Sequence, residues 1–181
     1  MVQTHPIPEV ALNAIAEQVG RLFPLIGGGW DPPRQVPKPD QTYQVWFLPA
    51  DAIAAGTVDF LARAQNTERW HCQIWWDSKP MFVARFIVRN GDTSDLELRQ
   101  VLINEYANSI DEAIRWVDTN VEGNPLIRIL DIPSCYITAL WLIDGDENRL
   151  VIARLPPGPQ VLKRLEVYSA RAFLTKVRQK R

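Results

Sequence analysis

Tryptophan and arginine are the residues in this chain whose types and spacing are best suited to binding. Trp70, Trp75 and Trp76 lie on one predicted strand, and strand alternation directs them to both of its faces. A large exposed aromatic surface is unfavourable unless it binds a partner. Either the chain's own helices cover both faces of the strand, or one face presents an aromatic patch for binding. Arg85 and Arg89 alternate on the less apolar face of the next predicted strand, a mixture that suits a protein or a small anionic partner.

A further aromatic candidate, Trp30, lies in a predicted loop over residues 24–42 that is rich in proline and glycine. Loops of this length in a compact domain commonly carry function. The three glycines at 27–29 suggest a phosphate-binding loop, but neither a preceding strand nor a following Lys-Ser/Thr pair accompanies them. Trp30 is therefore predicted to anchor this loop to the body of the protein or to hold a partner.

Side chains for catalysis are sparse. His71 and Cys72 are adjacent, and adjacent strand residues face opposite ways, so they do not form a thiol–imidazole pair. Cys72 and Cys135 each lie in an apolar predicted strand, the usual setting of a buried unreactive thiol. Carboxylates near strand ends are candidates for acid–base pairs, although solvated turn residues explain them equally well: Asp77, Asp92, Asp95, Asp131 and Asp144.

The metal and cofactor motifs are incomplete or missing. Asp144, Asp146 and Asn148 match the first, third and fifth positions of a calcium loop, but Arg149 stands where glycine is needed and Leu155 where a bidentate glutamate is needed. Two histidines and two cysteines without ligand spacing do not indicate zinc. No dinucleotide fingerprint, Gly-x-Ser-x-Gly or His-Glu-x-x-His motif occurs. We therefore predict no metal and no cofactor.

Charge is unevenly distributed along the chain. The net charge is -1, while residues 156–181 hold seven basic side chains and one acid, so this segment is +6 and residues 1–155 carry -7. A basic segment on an acidic body is typical of a solvated C-terminal helix whose cations suit the helix dipole. Without a recognised motif, the acidic body disfavours a nucleic-acid partner.

Hydrophobic periodicity predicts an α+β fold with a largely antiparallel sheet of about six to seven strands and three to four packing helices. Pro24 is expected to stop the first helix, Ser109 and Glu112 to form a capping box at the third, and Ser169 to cap the last. The predicted helices cover residues 8–23, 50–64, 109–123 and 169–181. The predicted strands cover residues 43–48, 70–76, 81–89, 96–103, 126–130, 135–143, 150–155 and 162–168.

Length and composition predict one globular domain over residues 1–181, because a chain of this size buries enough surface for a core of its own. The first residues show no signal peptide, and no apolar run is long enough to span a bilayer. The expected location is therefore cytoplasmic, with free thiols rather than a disulfide.

Two stretches in the last fifty residues carry a resemblance. Residues 132–141, read as Ile-Pro-Ser-Cys-Tyr-Ile-Thr-Ala-Leu-Trp, precede a Pro-Pro-Gly-Pro spacer and the segment Tyr-Ser-Ala-Arg-Ala-Phe-Leu at 168–174. Together they resemble uncharacterised proteins of cyanobacteria. The resemblance implies an auxiliary role, in assembly or regulation of a larger complex, and brings no catalytic residue with it.

The sequence therefore predicts a non-enzymatic accessory or binding protein that uses an aromatic sheet face or loop to hold a protein partner, a second copy of itself or a small anionic ligand. The alternative is an enzyme whose site is assembled from His71 and scattered strand-end carboxylates. An exposed aromatic patch favours the first, and a pocket that joins His71 to a carboxylate favours the second.

Overall fold

A computed structural model describes residues 7–26, 38–76, 79–103, 105–158 and 160–179. Its four α-helices are α1 (Glu9–Ile26), α2 (Ala50–Ala55), α3 (Glu105–Asn120) and α4 (Ala170–Arg178). Its strands are β1 (Lys38–Phe47), β2 (Gln65–Trp76), β3 (Lys79–Val88), β4 (Leu96–Ile103), β5 (Leu126–Ile132), β6 (Ile137–Asp144), β7 (Glu147–Arg154) and β8 (Val167–Ser169). Short 3-10 turns cover Phe60–Arg63, Arg89–Gly91 and Pro133–Cys135.

All eight strands belong to one sheet with the order β4-β3-β2-β1-β5-β6-β7-β8. β1 pairs with β5 in parallel, whereas β2–β3, β3–β4, β5–β6, β6–β7 and β7–β8 are antiparallel. The α+β class and the largely antiparallel sheet are confirmed. The predicted count of six to seven strands was too low, since the sheet has eight. The last, β8, has only three residues, pairs with β7 and overlaps only the end of the strand predicted over residues 162–168.

By its internal contacts the chain divides into two compact units, one of Gln44–Thr67 with Ser109–Arg181 and one of His5–Tyr43 with Glu68–Asn108. In the first unit, α2, the turn Phe60–Arg63 and α4 pack on one face of β5, β6 and β7. Phe60 and Phe173 stack at the centre of this core, with ring centroids 5.9 Å apart.

The core of the second unit lies between α1 and one face of β2 and β3. The predicted apolar faces of both strands supply it, and α1 contributes Ile15, Ala16 and Val19. The side chains from the two strands are Trp70, Cys72, Ile74, Phe82, Ala84 and Phe86.

The end of α1 and the start of α3 differ from prediction, whereas the cap of α4 is confirmed. α1 continues to Ile26, so Pro24 does not stop it; a proline in a last turn removes only one intrahelical hydrogen bond. α3 begins at Glu105, because its buried stripe already includes Ala107, and Ser109 is a buried residue of the second turn rather than the cap of a capping box. Ser169 does cap α4, and its Oγ accepts a hydrogen bond from the Ala172 amide at 3.2 Å.

The helix predicted over 50–64 is divided at Gly56. This residue has φ +69°, a left-handed conformation that ends α2 and leads into the turn at Phe60–Arg63. Among the described residues, no helix is long and apolar enough to cross a membrane.

Gly56→Ala should destabilise the protein by about 1 kcal/mol, because a left-handed alanine costs about 1–2 kcal/mol and recovers part of that from a less flexible unfolded chain. The Arg178 guanidinium also lies where the new methyl group would be. Urea unfolding measures the change in unfolding free energy. In an Arg178→Ala background the side-chain collision is removed, so an equal loss there assigns the effect to the backbone and a vanished loss contradicts that assignment.

Candidate functional site

The first unit holds an arginine between two tryptophans. Arg128 on β5 is registered opposite Trp141 on β6, and Trp46 on β1 is registered with Leu130, the next residue of β5 on the same face. Because side chains alternate along a strand, the three side chains share the face that carries the core of this unit. We call Arg128, Trp46 and Trp141 the Arg128 cage.

The guanidinium of the Arg128 cage lies over both indoles. Its Cζ is 4.2 Å from the Trp46 ring centroid and 5.1 Å from that of Trp141. The two rings meet edge to face, with centroids 5.6 Å apart and planes at 88°. Trp141 is buried, while Trp46 and Arg128 are half-buried, so the cation is held against aromatic surface yet remains within reach of solvent.

Hydrogen bonds hold both indoles in place. Trp141 Nε1 donates to Asn148 Oδ1 at 2.7 Å, and Trp46 Nε1 donates to Gln44 Oε1 at 3.3 Å. A ring held at its polar end by a strand neighbour loses little freedom when a ligand arrives. The walls of the Arg128 cage are therefore positioned in advance.

Arg128 has no carboxylate partner among the described residues, and its buried Nε has no hydrogen-bond acceptor. Burial lowers its pKa below the ordinary value of an arginine, although a guanidinium stays charged at neutral pH. Other arginines of this unit do pair: Arg63 with Asp51, Arg115 with Asp111, and Arg164 with Glu112. Within the described residues, the guanidinium of the Arg128 cage therefore has no carboxylate as a counter-charge.

The residues predicted for binding lie in separate places. Trp70 is buried against α1, and Trp75 is half-buried with its Nε1 donating to Asp40 Oδ2 at 2.8 Å. Arg85 is buried at 8% exposure. The exposed Arg89 follows the end of β3 and pairs with Glu97 at 2.8 Å. Trp76 lies on β2 opposite Lys79, and Trp30 lies outside the described residues.

The register shift in the pairing of β2 with β3 lies on β3, not on β2. Ile74 is opposite Phe82 and Trp75 is opposite Pro80, so the extra residue is Met81. Trp70 and Ile74 pack in the core with α1, so the chain's own helix covers the face of β2 that carries Trp70.

The second unit contains a buried polar group of side chains on the other face of β2 and β3. His71 and Gln73 are 0% and 2% exposed, and neither imidazole nitrogen nor Gln73 Nε2 has a hydrogen-bond partner. Burial, followed by the positive charge of Arg85, holds the pKa of His71 well below its ordinary value. Each unpaired buried polar atom costs about 1–3 kcal/mol, so this arrangement lowers the free energy of unfolding.

The two cysteines are free and differ in environment. Burial raises the pKa of Cys72 to about 12, which makes this thiol unreactive. Cys135 is only partly buried, contrary to prediction, and lines an apolar pocket of about 250 Å³ with Tyr136, Leu162 and Val177. The described residues contain no group of three His, Cys, Asp or Glu side chains placed to hold a metal ion.

Three of the predicted strand-end carboxylates contact near neighbours, and Asp77 lies outside the described residues. Asp131 accepts a hydrogen bond from Thr138 Oγ1 at 3.1 Å, and Asp92 accepts from Ser94 Oγ at 2.6 Å, which together with the Ser94 amide lowers the pKa of Asp92. Asp144 lies 3.9 Å from Arg149. These contacts hold turns and strand ends together.

Sequence reasoning did not identify the Arg128 cage. One signal was available: β5 and β6 flank a short connection, and pairing that is symmetric about it sets Arg128 opposite Trp141. No comparable signal in the sequence indicates that Trp46 lies beside Arg128, because β1 and β5 are parallel and far apart in sequence. No family model, curated protein or solved structure matches the chain, so the site rests on its geometry.

Proposed function

We propose that this chain is a non-enzymatic binding protein and that the Arg128 cage holds a carboxylate or phosphate group of its ligand. One observation carries the proposal: a half-buried guanidinium lies 4.2 Å and 5.1 Å from two indole rings and has no carboxylate partner in the described part of the chain. The sequence-based expectation of an aromatic sheet face that binds an anionic partner is kept, but its location moves from β2 and β3 to β1, β5 and β6.

Cation–π contact with the indoles is compatible with oxyanion binding. The indoles attract the guanidinium through its charge, and its N–H groups lie in its own plane and can still donate to a ligand. A carboxylate or a phosphate accepts two such N–H groups side by side. The partly desolvated surroundings strengthen that contact, because water competes less well there.

The alternative function, an enzyme built from His71 and strand-end carboxylates, has less support. His71 is completely buried, and the charge that acts on it is that of Arg85 rather than of a carboxylate. Asp92 and Asp131 are bonded to neighbouring hydroxyls. General acid–base catalysis requires such groups to meet at a reacting atom.

A titration followed by NMR tests the binding function. We expect the indole N–H signals of Trp46 and Trp141 to shift saturably when acetate, inorganic phosphate or an oligoglutamate peptide is added. Arg128→Gln should weaken the tightest of these by roughly tenfold or more, since charged hydrogen bonds contribute about 1.5–3 kcal/mol. Arg128→Lys should also weaken it, because an ammonium cannot make the bidentate contact.

Arg115→Gln is the matched control, because Arg115 is also an arginine of this unit but is paired with Asp111. It should bind as the unaltered protein does. A response to acetate or phosphate indicates a small ligand, and a response to the peptide alone indicates an acidic protein partner. Equal affinities for Arg128→Gln and Arg115→Gln, or no saturable shift with any probe, would contradict the function.

A further inference from the structure

Buried polar side chains of the second unit whose atoms lack hydrogen-bond partners indicate a second, independent site. His71 and Gln73 are two residues apart on β2 and face the same way, opposite to the core residues Cys72 and Ile74. Both are at least nine-tenths buried, and the two imidazole nitrogens and Gln73 Nε2 lack hydrogen-bond partners. Native proteins satisfy nearly all such atoms, by a bound molecule where the chain itself does not.

Two further polar side chains adjoin this pair. Arg85 on β3 is registered directly opposite His71, is buried, and donates a hydrogen bond to the hydroxyl of Tyr106 on α3. The Tyr106 ring centroid is 5.3 Å from Arg85 Cζ and 6.3 Å from the His71 ring. We call His71, Gln73, Arg85 and Tyr106 the His71 cluster.

The chemistry of the His71 cluster favours an acceptor with negative charge. Gln73 Nε2 offers two N–H groups, a neutral imidazole offers one, and Arg85 adds N–H groups and a positive charge. Arg85 is registered directly opposite His71, and its positive charge, after burial itself, lowers the pKa of His71.

We propose that the His71 cluster is an internal binding site for one small oxyanion of the size of formate or nitrate, which accepts hydrogen bonds from Gln73 and His71 beside the Arg85 guanidinium. We expect this site to exclude larger anions, because His71, Gln73 and Val83 are only 0–2% exposed. The site shares no residue with the Arg128 cage, so the outcome of its test is independent of the proposed function.

Thermal unfolding in formate, nitrate and phosphate at constant ionic strength tests the site. We expect formate or nitrate to stabilise the protein; above saturation each further tenfold increase should raise Tm by about 4 °C. Phosphate should produce no comparable rise. Gln73→Met should abolish the effect, because it keeps the side-chain volume and removes the donors.

Gln100→Met is the matched control: Gln100 lies on β4 opposite Arg85 but is exposed, so this variant should retain the anion effect. Arg128→Gln should retain it as well, which separates this site from the Arg128 cage. A second readout is the imidazole ¹⁵N shift of His71, whose titration midpoint should rise with formate because the anion stabilises the imidazolium form beside Arg85 and Tyr106. Equal Tm values in all salts, or a water molecule alone between His71 and Gln73 in a crystal grown in formate, would overturn the proposal.

Discussion

Phe173→Ala is expected to lower the free energy of unfolding by about 3–5 kcal/mol, a large part of the stability of a domain of this size. Phe173 is fully buried, and it stacks on Phe60 with a centroid separation of 5.9 Å and an interplanar angle of 16°. Loss of the ring removes apolar burial and leaves a cavity that the surrounding sheet and helices fill only in part. Urea unfolding followed by circular dichroism measures the loss.

Arg171→Ala is the control for this substitution. Arg171 is exposed on the same helix, α4, so its replacement should change the stability by no more than about 0.5 kcal/mol. The double mutant with Phe60→Ala should show a coupling of about 0.5–1.5 kcal/mol for the stacked pair. A loss below about 1 kcal/mol for Phe173→Ala would mean that α4 does not carry the core of the first unit.

Acid is expected to destabilise the protein through His71 by at most about 2 kcal/mol between pH 7 and pH 5 in a buffer without formate or nitrate, the limit set by the unfolded histidine. The pKa of His71 is held well below its ordinary 6.5 in the folded protein, by burial and then by Arg85. Below pH 6.5 the unfolded chain therefore binds a proton that the folded protein excludes, and stability falls as the pH falls. Above pH 6.5 neither state carries the proton, so the contribution of neutral His71 is fully present.

Urea unfolding at several pH values checks this dependence. His71→Leu should remove most of the loss between pH 7 and pH 5, and it should raise the stability at pH 7 because it replaces an unpaired buried polar group with an apolar one. His5→Gln alters the other histidine of the chain and should keep the acid dependence. The same pH slope in His71→Leu as in the unaltered protein would refute the assignment to His71.

Local sequence patterns predicted the helices and strands well but misplaced several of their ends. The Ser169 cap, the apolar face of β3 and the β6–β7 hairpin depend on neighbouring residues, and each is present in the structure. The start of α3 was misplaced because Ser109 satisfies a capping pattern although the buried stripe of the helix extends back to Ala107. Burial, which depends on distant residues, outweighs a local cap that contributes about 1 kcal/mol.

The candidate sites show the same division. The sequence alone predicted that tryptophans and arginines on adjacent strands bind a partner. It also placed His71 and Arg85 on neighbouring strands. It could not bring Trp46 to Arg128, because parallel pairing of β1 with β5 joins residues about eighty positions apart and no turn sets their register.

What the sequence by itself determined is the alternation of helices and strands, the largely antiparallel class of the sheet and the inward face of β3, because these follow from periodicity over a few residues. Only the tertiary structure decided that Trp70 is part of the core, that Trp46 and Trp141 surround Arg128, and that His71 is buried beside Arg85. The physical reason is that strand order and register assign each side chain its neighbours, and those neighbours decide whether an arginine or a histidine is paired, buried or available to a ligand.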